Sequence, residues 1–190
     1  MNREKLCFMV ILILLLTVSG GLLAKEKAGT LELIGVPSHV QGGWYHSDSG
    51  VFFVDVTEIE GAFVRVSYED MEITGKKLEW HTKDDYFIFT DGAKLEKDDF
   101  VLESKTLEYY GNEEKLVAAG NVVAVTDDAT VHSQTLVYLE ETDEALFTDD
   151  VTVEVTDGRL QGQRFLMLVE KKEMQFFGPF QGQFSTDSNK

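Results

Sequence analysis

KTLEYYGNEEKLVAAGNVVAV, Lys105 to Val125, sets a Gly120-Asn121 pair between two apolar bursts. Such a pair closes a hairpin, holds a phosphate, or marks one rung of a repeat. The flanking sequence chooses among the three. ITGKKLEW (Ile73–Trp80), LESKTLEY (Leu102–Tyr109), VHSQTLVY (Val131–Tyr138) and LQGQRFLM (Leu160–Met167) each begin 29 residues after the one before, without a gap. Leu78, Leu107, Leu136 and Phe165 coincide, as do Trp80, Tyr109, Tyr138 and Met167. The second halves stay in phase. Phe87, Leu116, Ala145 and Met174 align, followed by Phe89, Ala118, Phe147 and Phe176. Self-similarity at a fixed period marks a repeat architecture, in which each unit buries its apolar face against the next.

Inside each unit the period is two. VTVEV (Val151–Val155) and YFIF (Tyr86–Phe89) are rich in β-branched and aromatic residues, which predicts strands. Each unit therefore reads as two strands and two turns. The expected turn residues are Asp91-Gly92, Gly120-Asn121, Asp149-Asp150 and Gly178-Pro179, so Gly120-Asn121 is expected to close a rung. Asp99, Asp128 and Asp157 recur at the same interval. Asp side chains hydrogen-bond their own backbone at turns, so the Asp-Asp pairs read as turn formers before metal ligands. Upstream of Ile73 the pattern loosens, and GVPSHVQGGWYHSDSG (Gly35–Gly50) fits no unit. An atypical end piece is what a stack needs in order to be capped or docked.

Residues 1–5 form a basic flank, and Leu6 to Ala24 is an uncharged, mostly apolar run. About twenty such residues span a bilayer core, so 6–24 reads as a transmembrane anchor. A signal peptide cleaved at Ala24 is the alternative. Residues 25–30 read as a linker, 31–186 as the β domain and 187–190 as a tail. The basic flank holds the N-terminus in the cytoplasm and sends the rest across the membrane. The one cysteine, Cys7, lies in the apolar run, which leaves no intrachain disulfide.

With 17 basic and 34 acidic residues the chain carries a net charge of −17. A nucleic-acid partner needs the opposite sign. Enzyme signatures are missing: there is no G-x-S-x-G, H-E-x-x-H, C-x-x-C or phosphate-cradling glycine loop. No catalytic residue, metal ligand or cofactor site is assigned. What remains is the apolar interior. Gly75, Ser104, Ser133 and Gly162 put four small residues at one repeated position. That row either closes into an ordinary packed core or leaves a cleft between two sheets, where a lipid chain would lie.

The stretch AAGNVVAVTDDATVHSQTLVYLEETDEALFTDDVTVEVTDGRLQGQRF (Ala118–Phe165) resembles the OstA-like repeat of the periplasmic lipopolysaccharide-transport proteins. In these a Gly-Asn-Val turn leads into an x-Val-x-Val strand and then Leu-x-small-x-x-Leu-x-Tyr. The resemblance covers roughly 73–184 well and 31–70 weakly. It departs where Lys76, Lys105, Gln134 and Gln163 replace the usual Asp.

The resemblance implies an all-β fold, a β-jelly roll of two antiparallel sheets behind one N-terminal transmembrane helix. It implies non-enzymatic carriage of lipopolysaccharide, with the acyl chains sheltered in an inward groove. The groove residues would be Leu78, Trp80, Phe87, Phe89, Leu107, Tyr109, Leu116, Leu136, Tyr138, Phe147, Phe165 and Phe176. A partner strand would add to the edge holding Phe180, Gly182 and Phe184. The length and possible anchor resemble the LptC branch, which receives lipid from the inner-membrane ABC exporter LptB2FG and hands it to an LptA-like bridge protein. A soluble LptA-like periplasmic subunit is one alternative. A structural β-solenoid with a fully packed interior is the other.

Overall fold

The computed structural model describes residues 29–169 and 171–185. The expected basic flank, the expected anchor with Cys7, most of the expected linker and the expected tail lie outside the described residues.

The chain is all-β. Four short strands come first: β1 (Gly29–Ile34), β2 (Gly43–His46), β3 (Val51–Asp55) and β4 (Phe63–Tyr68). Long strands follow: β5 (Met71–His81), β6 (Tyr86–Lys97), β9 (Lys115–Val125), β10 (Ala129–Leu139), β11 (Glu144–Val155), β12 (Gly158–Leu168) and β13 (Glu173–Phe184). Between β6 and β9, one long strand is broken at Lys105 into β7 (Phe100–Ser104) and β8 (Thr106–Tyr110). Every pairing between these strands is antiparallel, and the thirteen form one hydrogen-bonded sheet. The two sheets expected from the sequence are thus one sheet folded over on itself. A coiled solenoid stacks its rungs in parallel, so this pairing excludes it.

The fold line runs through the middle of every long strand. Register shifts fall between Gly75 and Lys77, between Ser133 and Thr135, between Thr148 and Val151, and between Gly162 and Arg164. On β6, β9, β11 and β13 the bend uses left-handed backbone: Asp91 and Gly92, Gly120 and Asn121, Asp149 and Asp150, and Gly178 all have positive φ. Gly, Asn and Asp tolerate that conformation best, and a bulge built from it sharpens strand bending. On β5 and β12 the bend carries Gly75 and Gly162, and on β7–β8 and β10 a serine bonds across it. Ser104 Oγ donates to the Thr106 carbonyl at 2.9 Å and Ser133 Oγ to the Thr135 carbonyl at 3.0 Å.

Two expectations are corrected here. Gly120-Asn121 does not close a rung; it bends β9 at mid-strand. The hairpin in that stretch is closed by the other Gly-Asn pair, in the short 3-10 turn Gly111–Glu113, with Glu114 in the left-handed region. The small-residue row is closed at its first position: a Cβ on Gly75 would lie 2.5 Å from the Phe89 ring and 2.8 Å from the Gly92 carbonyl. At its last position Gly162 borders an open pocket of about 540 Å³ beside Val151 and Phe180, so the row does not line one continuous cleft.

Each layer presents its inward residues in rows set by the repeat. In the layer formed by β8 and its neighbours, the row nearest the fold line runs Leu78, Phe89, Leu107, Ala118, Leu136, Phe147, Phe165, Phe176. The next row runs Trp80, Phe87, Tyr109, Leu116, Tyr138, Ala145, Met167, Met174. The N-terminal piece breaks the pattern because two short strands replace one bent strand. β4 pairs the first half of β5, and β3 pairs the second half.

Leu107 and Leu136 are both 0% exposed and occupy equivalent places in one row. Truncating a buried leucine costs roughly 2–5 kcal/mol. Leu107→Ala and Leu136→Ala are expected to lower the melting temperature by similar amounts. A difference of several-fold between them in denaturant-derived stability would break the equivalence.

Candidate functional site

Opposite the fold line, the layers end in two sets of hairpin turns that face each other across a mouth. One set holds Glu69-Asp70, Asp98-Asp99, Thr126–Asp128 and Thr156-Asp157. The other holds 82–85, 111–114, 140–143 and, after β12, 169 with 171–172.

Over its N-terminal half the mouth is shut. Tyr68, at the end of β4, lies 6.3 Å ring to ring from Phe87 and 5.2 Å from Tyr109 on the facing layer. Its hydroxyl donates to the Asp85 carboxylate at 2.9 Å, joining the two layers. Burial, reinforced by Asp85, pushes the Tyr68 phenol above its ordinary pKa, so it stays a neutral donor.

Over the C-terminal half the layers part around a cavity of about 760 Å³. Its floor is apolar: Phe100, Tyr138, Ala145, Met167, Val169 and Met174. The cause is residue size along the rows. Phe87, Tyr109 and Leu116 fill the inner row at the closed end, whereas Ala145 and two unbranched methionines follow at the open end. On the facing layer Tyr68 and Met71 fill the closed end, and at the open end the cavity is bordered by Phe100 and the turn residues Thr126–Asp128. Methionine adapts its shape, so this end accommodates more than one filling.

The rim of the cavity is acidic. Lys97 pairs with Asp70 at 3.1 Å, and Lys172 reaches across the mouth to Asp128 at 2.9 Å. Five further carboxylates line the cavity: Asp98, Asp99, Asp127, Glu140 and Asp143. The Tyr138 hydroxyl donates to Asp143 at 2.9 Å, and burial together with that bond raises its pKa. The Lys172 ammonium is also held above its usual pKa, first by its hydrogen bond to Asp128 and then by the fields of Asp128, Asp127 and Asp99.

Of the twelve inward residues expected to line a groove, Tyr138 is the one on the cavity wall. Leu78, Trp80, Phe87, Phe89, Leu107, Tyr109, Leu116, Leu136, Phe147 and Phe165 are packed in the core. Phe176 is half-buried, stacked on Phe180 at 5.0 Å. Sequence reasoning missed Phe100, Ala145, Met167, Val169 and Met174. Three of those, Ala145, Met167 and Met174, sit at aligned repeat positions where other units carry larger rings or leucine. That drop in size was the available signal.

Among the described residues β13 pairs only with β12, so its other side is a free edge. Phe180 is 55% and Phe184 58% exposed there, on the same face as Gly182. At the opposite end Leu33, Trp44 and Tyr45 are exposed on β1 and β2.

The histidines His39 and His46 lie apart from this cavity, and no group of three or more metal-ligating side chains occurs among the described residues. Asp127 and Asp128 occupy the β9–β10 turn, where Thr126 Oγ1 accepts from the backbone N–H groups of Asp128 and Ala129. Asn suits such a turn, and the Asp128–Lys172 pair is exposed. Asp127→Asn and Asp128→Asn are therefore expected to keep the melting temperature within about 2 °C of the parent. A larger fall, read by circular dichroism, would show that the carboxylates do more than shape the turn.

The fold is similar to the crystal structure of LptH from Pseudomonas aeruginosa, the LptA-homologous periplasmic component of the conserved lipopolysaccharide transport device. The TM-score is 0.52 at 11% identity, and the match covers 55% of this chain and 80% of LptH. No protein-family model matches the chain, and no curated protein does.

Proposed function

We propose that this chain is a non-enzymatic carrier of lipopolysaccharide that shelters acyl chains in the cavity between its two layers. The observation that carries the reading is the cavity itself. It has an apolar floor and a side opening, and it sits in a sheet whose fold is similar to that of LptH. Apolar pockets of this size, with a few polar groups at the margin, are where lipid and small-molecule ligands bind.

The ligand would enter from the side, over the C-terminal half, because Tyr68 and its ring partners fill the N-terminal half. In the LptC-like form of the proposal, residues 6–24 anchor the chain in the inner membrane. The β domain then takes lipid from the ABC exporter LptB2FG in the periplasm. The free edge of β13, with Phe180, Gly182 and Phe184, would pair with an LptA-like bridge protein, since an exposed apolar edge is a template for strand addition. In the LptA-like form the chain is soluble after cleavage at Ala24 and is itself a bridge subunit. The N-terminal residue of the native protein, read by mass spectrometry, separates the two.

The test of the carrier reading is photo-crosslinking in cells that make lipopolysaccharide. A photoreactive phenylalanine analogue at Tyr138 or Met167 is expected to capture lipopolysaccharide, and one at Leu107, in the packed core, is not. Absence of adducts from both cavity positions in a folded protein would overturn the proposal.

A further inference from the structure

The charge of the rim sets a condition on the ligand that the apolar floor does not. We infer that the cavity selects amphiphiles by head-group charge, accepting a chain whose head presents positive charge at the rim. That charge would come from an amine or from a divalent cation bound to a phosphate. The inference rests on the cavity holding an apolar chain, and it adds the head-group class.

Seven carboxylates surround the opening against two lysines, and both lysines are already engaged with rim acids. The cavity takes them from both layers. Asp70, Asp98, Asp99, Asp127 and Asp128 lie on one side, and Glu140 and Asp143 on the other. A head group seated over the floor is therefore flanked by negative charge on two sides. Low-dielectric walls strengthen such a field relative to open solvent.

Lys172 already shows the preferred chemistry. Its ammonium, on a flexible alkyl chain, crosses the mouth to Asp128. A bare phosphate would instead face the carboxylates of the rim from both layers.

The test uses the purified full chain and displacement of the fluorophore N-phenyl-1-naphthylamine at low salt. The competitors are dodecylamine, dodecyl maltoside, and dodecyl phosphate with and without magnesium. The Ala145→Leu variant narrows the cavity and identifies displacement that arises elsewhere on the chain. Dodecylamine is expected to displace the probe at a concentration roughly tenfold below that of dodecyl phosphate. Magnesium should bring the phosphate close to the amine, and 0.5 M salt should compress the difference. The triple variant Asp99→Asn, Asp127→Asn, Asp143→Asn should narrow the ratio of amine to phosphate. Equal displacement by amine and magnesium-free phosphate would overturn the inference and leave the carrier reading in place. Failure of dodecyl maltoside to displace the probe from the parent would instead overturn the carrier reading itself.

Discussion

Phe147→Glu is expected to abolish folding at neutral pH or to leave a protein that melts far below the parent. Phe147 is 0% exposed and sits mid-row between Leu136 and Phe165, with its ring centroid 5.8 Å from that of Phe165. Losing the ring alone costs roughly 3–5 kcal/mol. An ionised carboxylate in the same place adds a desolvation cost of several kcal/mol, which exceeds what a domain stable by about 5–15 kcal/mol can absorb. The pH dependence identifies the cause. Burial raises the folded-state pKa of the introduced Glu above its unfolded value, because it disfavours the charged form. Its destabilisation is then smallest below the unfolded pKa and grows as pH rises through the folded one. Phe147→Gln lacks the titration and serves as the control. The gap in stability between the two variants, measured by urea unfolding, should widen from pH 4 to pH 8. A constant gap would mean that Phe147 is not enclosed in an apolar interior.

Tyr68→Ala is expected to have the second-largest effect, and on two readouts. The ring packs across the layers against Phe87 and Tyr109, and truncating a buried aromatic costs roughly 3–5 kcal/mol. It is also what shuts the N-terminal half of the mouth. Removing it should extend the cavity toward Phe87 and increase the amount of a fluorescent apolar probe bound at saturation. Tyr68→Phe keeps the ring and removes only the hydrogen bond to Asp85, so it should cost about 1 kcal/mol and leave probe capacity unchanged. Loss of stability in Tyr68→Ala without any gain in probe binding would mean that the surrounding rings collapse into the space.

The 29-residue period was legible in the sequence, and it fixed the all-β class, the number of strands per unit and the inward set. Alternation alone assigns Leu78, Leu107, Leu136 and Phe165 to one face, because the side-chain period of a strand is two and a slip would turn every residue outward. The periodicity is local, so it survives without knowledge of partners. The same residues did not reveal which Gly-Asn pair turns the chain. A hairpin turn and a mid-strand bulge both call for left-handed backbone, so Gly111-Asn112 and Gly120-Asn121 look alike until strand pairing separates them. Nor did they reveal the cavity. Whether an inward side chain is packed or lines a space depends on what faces it from the other layer. Tyr109 meets Tyr68 and is enclosed, while Met167, at the equivalent place two units later, faces an opening. The repeat, written in side-chain type and spacing, therefore determined the layers and their inward faces. Only tertiary structure, which brings opposing rows together and subtracts their volumes, decided where the interior stays open and that its rim is acidic.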